Sequence, residues 1–310
     1  MTSLEAVATY LPSGRVPITE LGRELGLDPA EIKVYKRFYG LSEICRDPEG
    51  TPTDLLLAAA SKLDALRGRE DQVRYVVQAR TMPIVVPHPV NPVHEVRDAL
   101  GLGHATAFAL THHACASGLL AVDLCGKLLA ADGDPDALAL VLTGEKTFTP
   151  AAQTVPGTAM NGEGAAAVLV STRDDRDRML GYAARTHGRF YECLSLTDAL
   201  FAEFQQVYTE ALAEVMVAAA RKAGIALDDL TLVFPHNVNR VSWVRLTRHL
   251  DLPLERVFLD NVPVTGHCFC ADPFINYQTA LELGRLRPGD RYMLVTVGLG
   301  STFSAMVFEH

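Results

Sequence analysis

No apolar run in this chain reaches the roughly 18 residues needed to span a bilayer. The N-terminal stretch MTSLEAVATYLPSG lacks a basic segment followed by an apolar one, so neither a membrane association nor a secretory leader is expected. Positive charge is also scarce. Lys and Arg number 28 against 37 Asp and Glu, for a net charge of −9 and a pI near 5.6. Proteins that bind nucleic acid need a basic face, so nucleic acid is not expected as the partner, although a small local basic patch is compatible with these numbers. Long low-complexity segments and Cys-x-x-Cys pairs are absent. The six cysteines, Cys45, Cys115, Cys125, Cys193, Cys268 and Cys270, are scattered. A cytoplasmic chain with reduced thiols is the expectation, most of them acting as small buried apolar groups. Neither His267, Cys268 and Cys270 nor His112, His113 and Cys115 have the spacing of a zinc site. No metal and no tightly bound cofactor are expected.

What is present is a folded-protein composition: 310 residues, 48% hydrophobic and 21% charged, enough for two domains or one duplicated one. Apolar runs alternate with amphipathic stretches of helical length, the pattern of an α/β fold. Helices are expected over 17–27, 29–36, 53–66, 94–101, 117–131, 200–224 and 239–250, and from the stretch VPVTGHCFCADP through about 283. Strands are expected over 73–78, 105–110, 137–143, up to 171, 230–234, 292–297 and 304–308. Residues 82–93 hold four prolines and read as an extended loop. The charged run 172–178 is the candidate boundary between a half over 1–172 and a half over 173–310. Each half contains a strand, a glycine turn and a strand, ALALVLTGE…GEGAAAVLVS in the first and RYMLVTVGLGSTFSAMVFE in the second, as an internal duplication would give.

Cys115 lies between an apolar strand and a helix start, flanked by Ala114, Ala116, Ser117 and Gly118. Small neighbours permit a tight turn, and a helix N-terminus favours thiolate and offers N–H groups to a developing oxyanion. The plain alternative is a buried core thiol. His236 follows the apolar strand LTLVF, at the kind of strand end where sites in open α/β sheets collect, and Asn239 stands three residues on. A structural histidine is the alternative there too. His267 opens the next helix in the stretch GHCFC, at what reads as the second-half counterpart of Cys115. Gly298 and Gly300 form a Gly-x-Gly turn that allows close backbone approach, without the strand-then-helix context of a dinucleotide site.

The order of these parts is more specific than any one of them. HHACASGLLAVDL, NGEGAAAVLVS, FPHNVNR, VTGHCFCADP and LRPGDRYMLVTVGLGSTFSAMVF together resemble the β-ketoacyl-acyl carrier protein synthase III family of the thiolase superfamily, and the resemblance covers nearly the whole chain. It implies a thiolase fold, a duplicated five-layer αβαβα architecture, and a homodimer. Cys115 matches the nucleophile that takes an acyl group from acyl-coenzyme A or an acyl carrier protein. His236, with Asn239, matches the catalytic H-x-x-N motif. Cys115 and Gly298, with Gly300 as the alternative, match the backbone oxyanion donors. Arg240, Arg245 and Arg248, with Trp243 between them, fall on the helix near which the family docks its carrier or coenzyme A phosphates, a solvated helix face being the alternative.

The chain departs from the family where an N-T-S motif is usual and His267-Cys268-Phe269-Cys270-Ala271-Asp272 stands instead. A Cys-His-His set resembles the elongating ketosynthases, so decarboxylative carbon–carbon condensation with a malonyl-type thioester, in secondary metabolism, is the leading expectation. Acyl transfer from Cys115 to a hydroxyl or amine without decarboxylation is its rival, and a catalytically weak carrier-binding scaffold is the third reading. Asp272 would orient His267 if its side chain turned inward; capping a surface helix is the role favoured by position. Phe269 and the proline-rich loop 82–93 suggest an altered pocket wall.

Overall fold

The computed structural model describes residues 2–173, 176–192 and 195–310. Cys193 and part of the charged run at 172–178 lie outside the described residues. In chain order the strands are Ser3–Tyr10 (β1), Arg15–Pro17 (β2), Glu43–Cys45 (β3), Val73–Ala79 (β4), Thr106–Leu110 (β5), Leu138–Gly144 (β6), Thr154–Val155 (β7), Ala159–Met160 (β8), Ala165–Ser171 (β9), Arg178–Thr186 (β10), Leu232–Phe234 (β11), Arg291–Gly298 (β12) and Thr302–Glu309 (β13). Nine of them form one sheet in the order β11-β12-β13-β10-β1-β9-β6-β4-β5. Strands β6 and β9 are buried along their whole length, which is why they read as unbroken apolar runs rather than alternating ones.

The pairing pattern occurs twice. In the first half β4 is parallel to β5 and β6, β6 is antiparallel to β9, and β9 is antiparallel to β1. In the second, β11 is parallel to β12 and, through one bridge, to Val257. There β12 is antiparallel to β13, and β13 to β10. The two sets meet where β1 and β10 pair at Ser3 and Arg178. Helices Ser117–Asp132 and Asp272–Glu282 share one core with both sets: Val122, Cys125, Phe274 and Ala280 pack with Val77 and Val141 of the first and Phe234 and Leu294 of the second. Helices Pro52–Ala60 and Pro92–Ala99 cover the outer face of the first set. Asp198–Ala223 and Arg240–Leu250 cover the second. The layers are therefore αβαβα, the thiolase fold. The 114–132 helix is long and apolar enough to cross a membrane, but it is the central helix and 67% buried.

Most expected elements stand within a few residues of their places. The first helix ends early, at Glu24, and the one expected over 53–66 ends at Ala60, followed by a separate turn at Asp64–Leu66. The larger departure is at 262–283. In place of one helix there is a short Val262–Thr265 segment, a 3-10 turn at Phe269–Ala271, and then Asp272–Glu282. Gly266 and Phe269 take positive φ (70° and 54°), which ends a helix locally. His267 sits in this break.

A buried ion pair fastens the loop after β3 to the sheet. Lys146 Nζ lies 2.6 Å from Glu163 Oε2, with side chains 1% and 3% exposed. Glu163 also accepts from the main-chain N–H of Asp47 and from the N–H and hydroxyl of Thr147, and Lys146 donates to the Asp47 carbonyl. Breaking one side of such a pair strands a buried charge, which costs about 3–5 kcal/mol. Glu163→Ala is expected to lower stability by that order in urea denaturation, and a loss below about 1 kcal/mol would show the pair to be solvated.

Candidate active site

The turn that carries Cys115 is built from the end of β5. Residues Ala114–Ala116 make one 3-10 turn, with Ala114 at φ 46°, and the central helix starts at Ser117. The second half repeats this as Phe269–Ala271 leading into Asp272, with Phe269 at φ 54°. The counterpart of Cys115 is therefore Cys270, a correction to the sequence reading that matched His267 to it. The two turns touch: Cys270 Sγ lies 3.3 Å from the Ala114 carbonyl.

Cys115, His236 and His267 are all buried and open onto one cavity of about 340 Å³. Cys115 Sγ lies 3.2 Å from His267 Nε2, and the Thr81 hydroxyl donates to it at 3.2 Å. The other nitrogen of His267, Nδ1, is 2.5 Å from Asp272 Oδ2. Asp272 is fully buried; its Oδ2 also accepts from the Asn237 N–H at 2.6 Å and its Oδ1 from the Cys268 N–H at 2.7 Å. The sequence reading favoured a surface helix cap for Asp272, and the structure overturns it. The carboxylate turns inward and orients His267, because the break at 266–271 brings the imidazole back over the helix start. Burial alone would depress the His267 imidazolium, but Asp272, and then Cys115, outweigh it and raise it to about 10.

His236 is placed differently. Its Nε2 is 3.0 Å from the Tyr208 hydroxyl, and its ring centroid is 6.3 Å from that of His267. Burial, and then the charge of His267, lower it to about 3, against a smaller opposing effect of the Val295 carbonyl. One imidazole is held charged and its neighbour neutral, the separation that assigns acid and base roles in a shared site.

Other expected residues have other work. Asn239 does not orient His236: its Oδ1 caps the 240–250 helix through Ser242 N–H and its Nδ2 donates to the Thr158 carbonyl at the cavity lip. Trp243 is 1% exposed and is no docking residue. Its N–H donates to the His236 carbonyl at 3.2 Å and its ring lies 5.2 Å from that imidazole. Arg240, Arg245 and Arg248 are exposed. Phe269 is buried against His267, 5.8 Å between rings, and does not line the cavity. Nor does loop 82–93, which borders a separate hollow beside β5. Gly298 abuts the Cys115 turn so closely that a Cβ there would lie 1.8 Å from the His113 carbonyl, whereas one at Gly300 would meet nothing nearer than 4.0 Å. Thr296 Oγ1 donates to the Cys115 carbonyl and ties β12 to the same turn. Sequence reasoning missed Thr81, Asn237 and Tyr208, whose only signal is position: one just past a strand end, one beside His236, one inside a long helix.

With the site in view, the chain can be set beside known proteins. The model of the 3-oxoacyl-[acyl-carrier-protein] synthase III C terminal matches residues 220–310. A β-ketoacyl-[acyl-carrier-protein] synthase III of Rhizorhabdus wittichii is 29% identical over 231 residues, which cover 69% of this chain and 70% of that protein. The solved 3-oxoacyl-[acyl-carrier-protein] synthase III of Aquifex aeolicus superposes with a TM-score of 0.83 at 22% identity over the whole of both chains. ChlB3, an acyltransferase, does so with 0.87 at 20% identity, over 99% of this chain and 97% of its own. These structural likenesses carry the fold.

The raised His267 links stability to pH. Its contribution is full below about 6.5, where the unfolded imidazole is also charged, declines above that, and is gone once pH passes about 10. The stability gap between the native protein and His267→Gln is therefore expected to shrink from pH 6 to pH 10 in paired denaturant melts. A constant gap would show that the pair carries no such charge.

Proposed function

We propose that this chain, a β-ketoacyl-acyl carrier protein synthase III-like enzyme of the thiolase fold, is an acyltransferase that carries its acyl group on Cys115 and passes it to a hydroxyl or amine without decarboxylation. The observation that carries this is the buried 2.5 Å bond from Asp272 to His267, whose far nitrogen faces Cys115. Nucleophile, imidazole and orienting carboxylate are the arrangement that serves acyl transfer on unrelated folds. With its proton on His267, Cys115 attacks the thioester carbonyl of acyl-coenzyme A or an acyl carrier protein. The leaving thiol departs with that proton. The main-chain N–H groups of Cys115 and Gly298 are the proposed oxyanion donors, Gly298 being favoured over Gly300 by its closeness to the nucleophile turn.

Decarboxylative condensation, the leading expectation from sequence, asks for two N–H donors on the extender thioester, to hold the enolate left by CO2. Here His267 is committed to Cys115 and Asp272, and His236 Nε2 to Tyr208. That engagement supports simple transfer, and a tailoring or starter step rather than general fatty-acid initiation. Carrier docking is proposed at Arg240, Arg245 and Arg248, without Trp243. Arg240 lies against Gly40, and the neighbouring Tyr39 hydroxyl donates to Gly157 on the cavity lip. A homodimer is proposed through the open edge of β5, whose residues are mostly half-covered.

Intact-mass measurement after incubation with acyl-coenzyme A and acyl-carrier donors is expected to give an adduct that Cys115→Ala lacks. Asp272→Asn should slow its formation by about 100-fold. Malonyl thioesters should release no CO2 in step with turnover; release at the turnover rate would restore condensation. A Cys115 that takes up neither donors nor alkylating reagents would point to a scaffold.

A further inference from the structure

We propose that Tyr208 and His236 form a proton relay for the acceptor, separate from the triad that loads the acyl group, and that the acceptor it serves is an uncharged hydroxyl. The inference rests on the acyl-transfer reading and extends it to the second half-reaction.

Its basis is that the site holds two imidazoles in two different settings. His267 spends both nitrogens on Cys115 and Asp272. His236 makes no hydrogen bond to the thiol; its Nε2 meets the Tyr208 hydroxyl at 3.0 Å, and both residues line the cavity into which Cys115 opens. The phenol is held in place by T-shaped contacts with Phe204 (5.6 Å) and Phe303 (5.7 Å). Trp243 fixes the imidazole from behind. Two polar groups held this firmly on an otherwise largely apolar wall are positioned for a proton, not for packing alone.

The step balances. An acceptor oxygen attacks the thioester carbonyl carbon on Cys115 and its proton passes to Tyr208 Oη, while the Tyr208 proton passes to His236 Nε2. Collapse of the tetrahedral intermediate breaks the C–S bond, releases the ester and leaves the Cys115 thiolate. The proton now on His236 returns to His267, whose ring centre is 6.3 Å away, and the resting pair is restored. An amine is the poorer fit, because it would have to enter an apolar cavity as an ammonium or give up its proton before entering.

Electrostatics supports an order of events. In the resting site the charge of His267, added to burial, suppresses the basicity of His236. Loading sends the His267 proton away with the leaving thiol. That removes the repulsion, so the base on the acceptor side gains strength only once there is an acyl group to transfer.

The test follows single turnovers of the whole chain by intact mass. Native protein and Tyr208→Phe are loaded from acetyl-, butyryl- or octanoyl-coenzyme A, freed of coenzyme A, and exposed to benzyl alcohol or to hydroxylamine, a nucleophile that needs little help from a base. In Tyr208→Phe the ratio of alcoholysis rate to loading rate is expected to fall by about 100-fold, with hydroxylaminolysis within about 2-fold of native. Adding His236→Gln to Tyr208→Phe should slow alcoholysis little further, because the two act as one unit. An unchanged ratio, or an equal loss with both nucleophiles, overturns the relay and leaves the triad standing. Failure of both proteins to load any of the three donors would remove the acyl-transfer reading and the relay with it.

Discussion

The buried carboxylate of Asp272 is the constraint around which the cavity that holds Cys115, His236 and His267 is arranged. A lone carboxylate in an apolar core is untenable unless its oxygens are bonded. Here they take a ring nitrogen of His267 and the main-chain N–H groups of Cys268 and Asn237. Those partners come from two separate segments, the break before the 272–282 helix and the turn after β11. The carboxylate also sits at the start of the 272–282 helix, where the helix dipole favours negative charge. The turn after β11 is secured further by asparagines: Asn276 Nδ2 donates to the Pro235 carbonyl, and Asn261 Nδ2 to Asn276 Oδ1. The position of His236, one residue before Asn237, follows from this network as much as from its own contacts.

The duplicated fold supplies the geometry and its asymmetry supplies the chemistry. Each half delivers a 3-10 turn with a cysteine at its centre, then a central helix. The residue that opens the helix is Ser117 in one half and Asp272 in the other. Three positions before each cysteine stand His112, exposed in the first half, and His267, buried in the second. Only the second half therefore has the imidazole–carboxylate pair, and only the first offers its sulfur to that pair. Cys270 instead points its thiol at the Ala114 carbonyl, and burial pushes that thiol well up.

Much of the fold was legible because it is written in long runs. The buried strands and the central helix declare themselves by apolar content, and the glycine turn at 298–300 by residue type. Cys115 and His236 could be found from their places at element boundaries. What could not be read were orientations set by residues far apart in the chain. Asp272 one position into a helix looks like a surface cap unless the break at 266–271 is known, and that break depends on a non-glycine residue, Phe269, taking positive φ. Trp243 between three arginines looks exposed, because local charge says nothing about which helix face meets β11 and β12. Tyr208 carries no signal at all within an amphipathic helix; its meaning lies in His236, 28 residues on.

The proposed thioester on Cys115, beside the proposed relay for hydroxyl protons, would also be exposed to hydrolysis, since water is the smallest hydroxyl available. Chemistry at the relay cannot separate the two, because an alcohol and water present the same O–H group. Discrimination has to come from occupancy, and the cavity lining bears on that. Val155, Phe201, Phe204, Val238, Val297 and Leu299 surround the approach to Cys115. An apolar wall holds few ordered waters and rewards an acceptor that buries carbon against it. Phe204, which packs against Tyr208, is also part of that apolar lining. For the proposed reaction, productive transfer and protection of the intermediate are then two consequences of one packing arrangement.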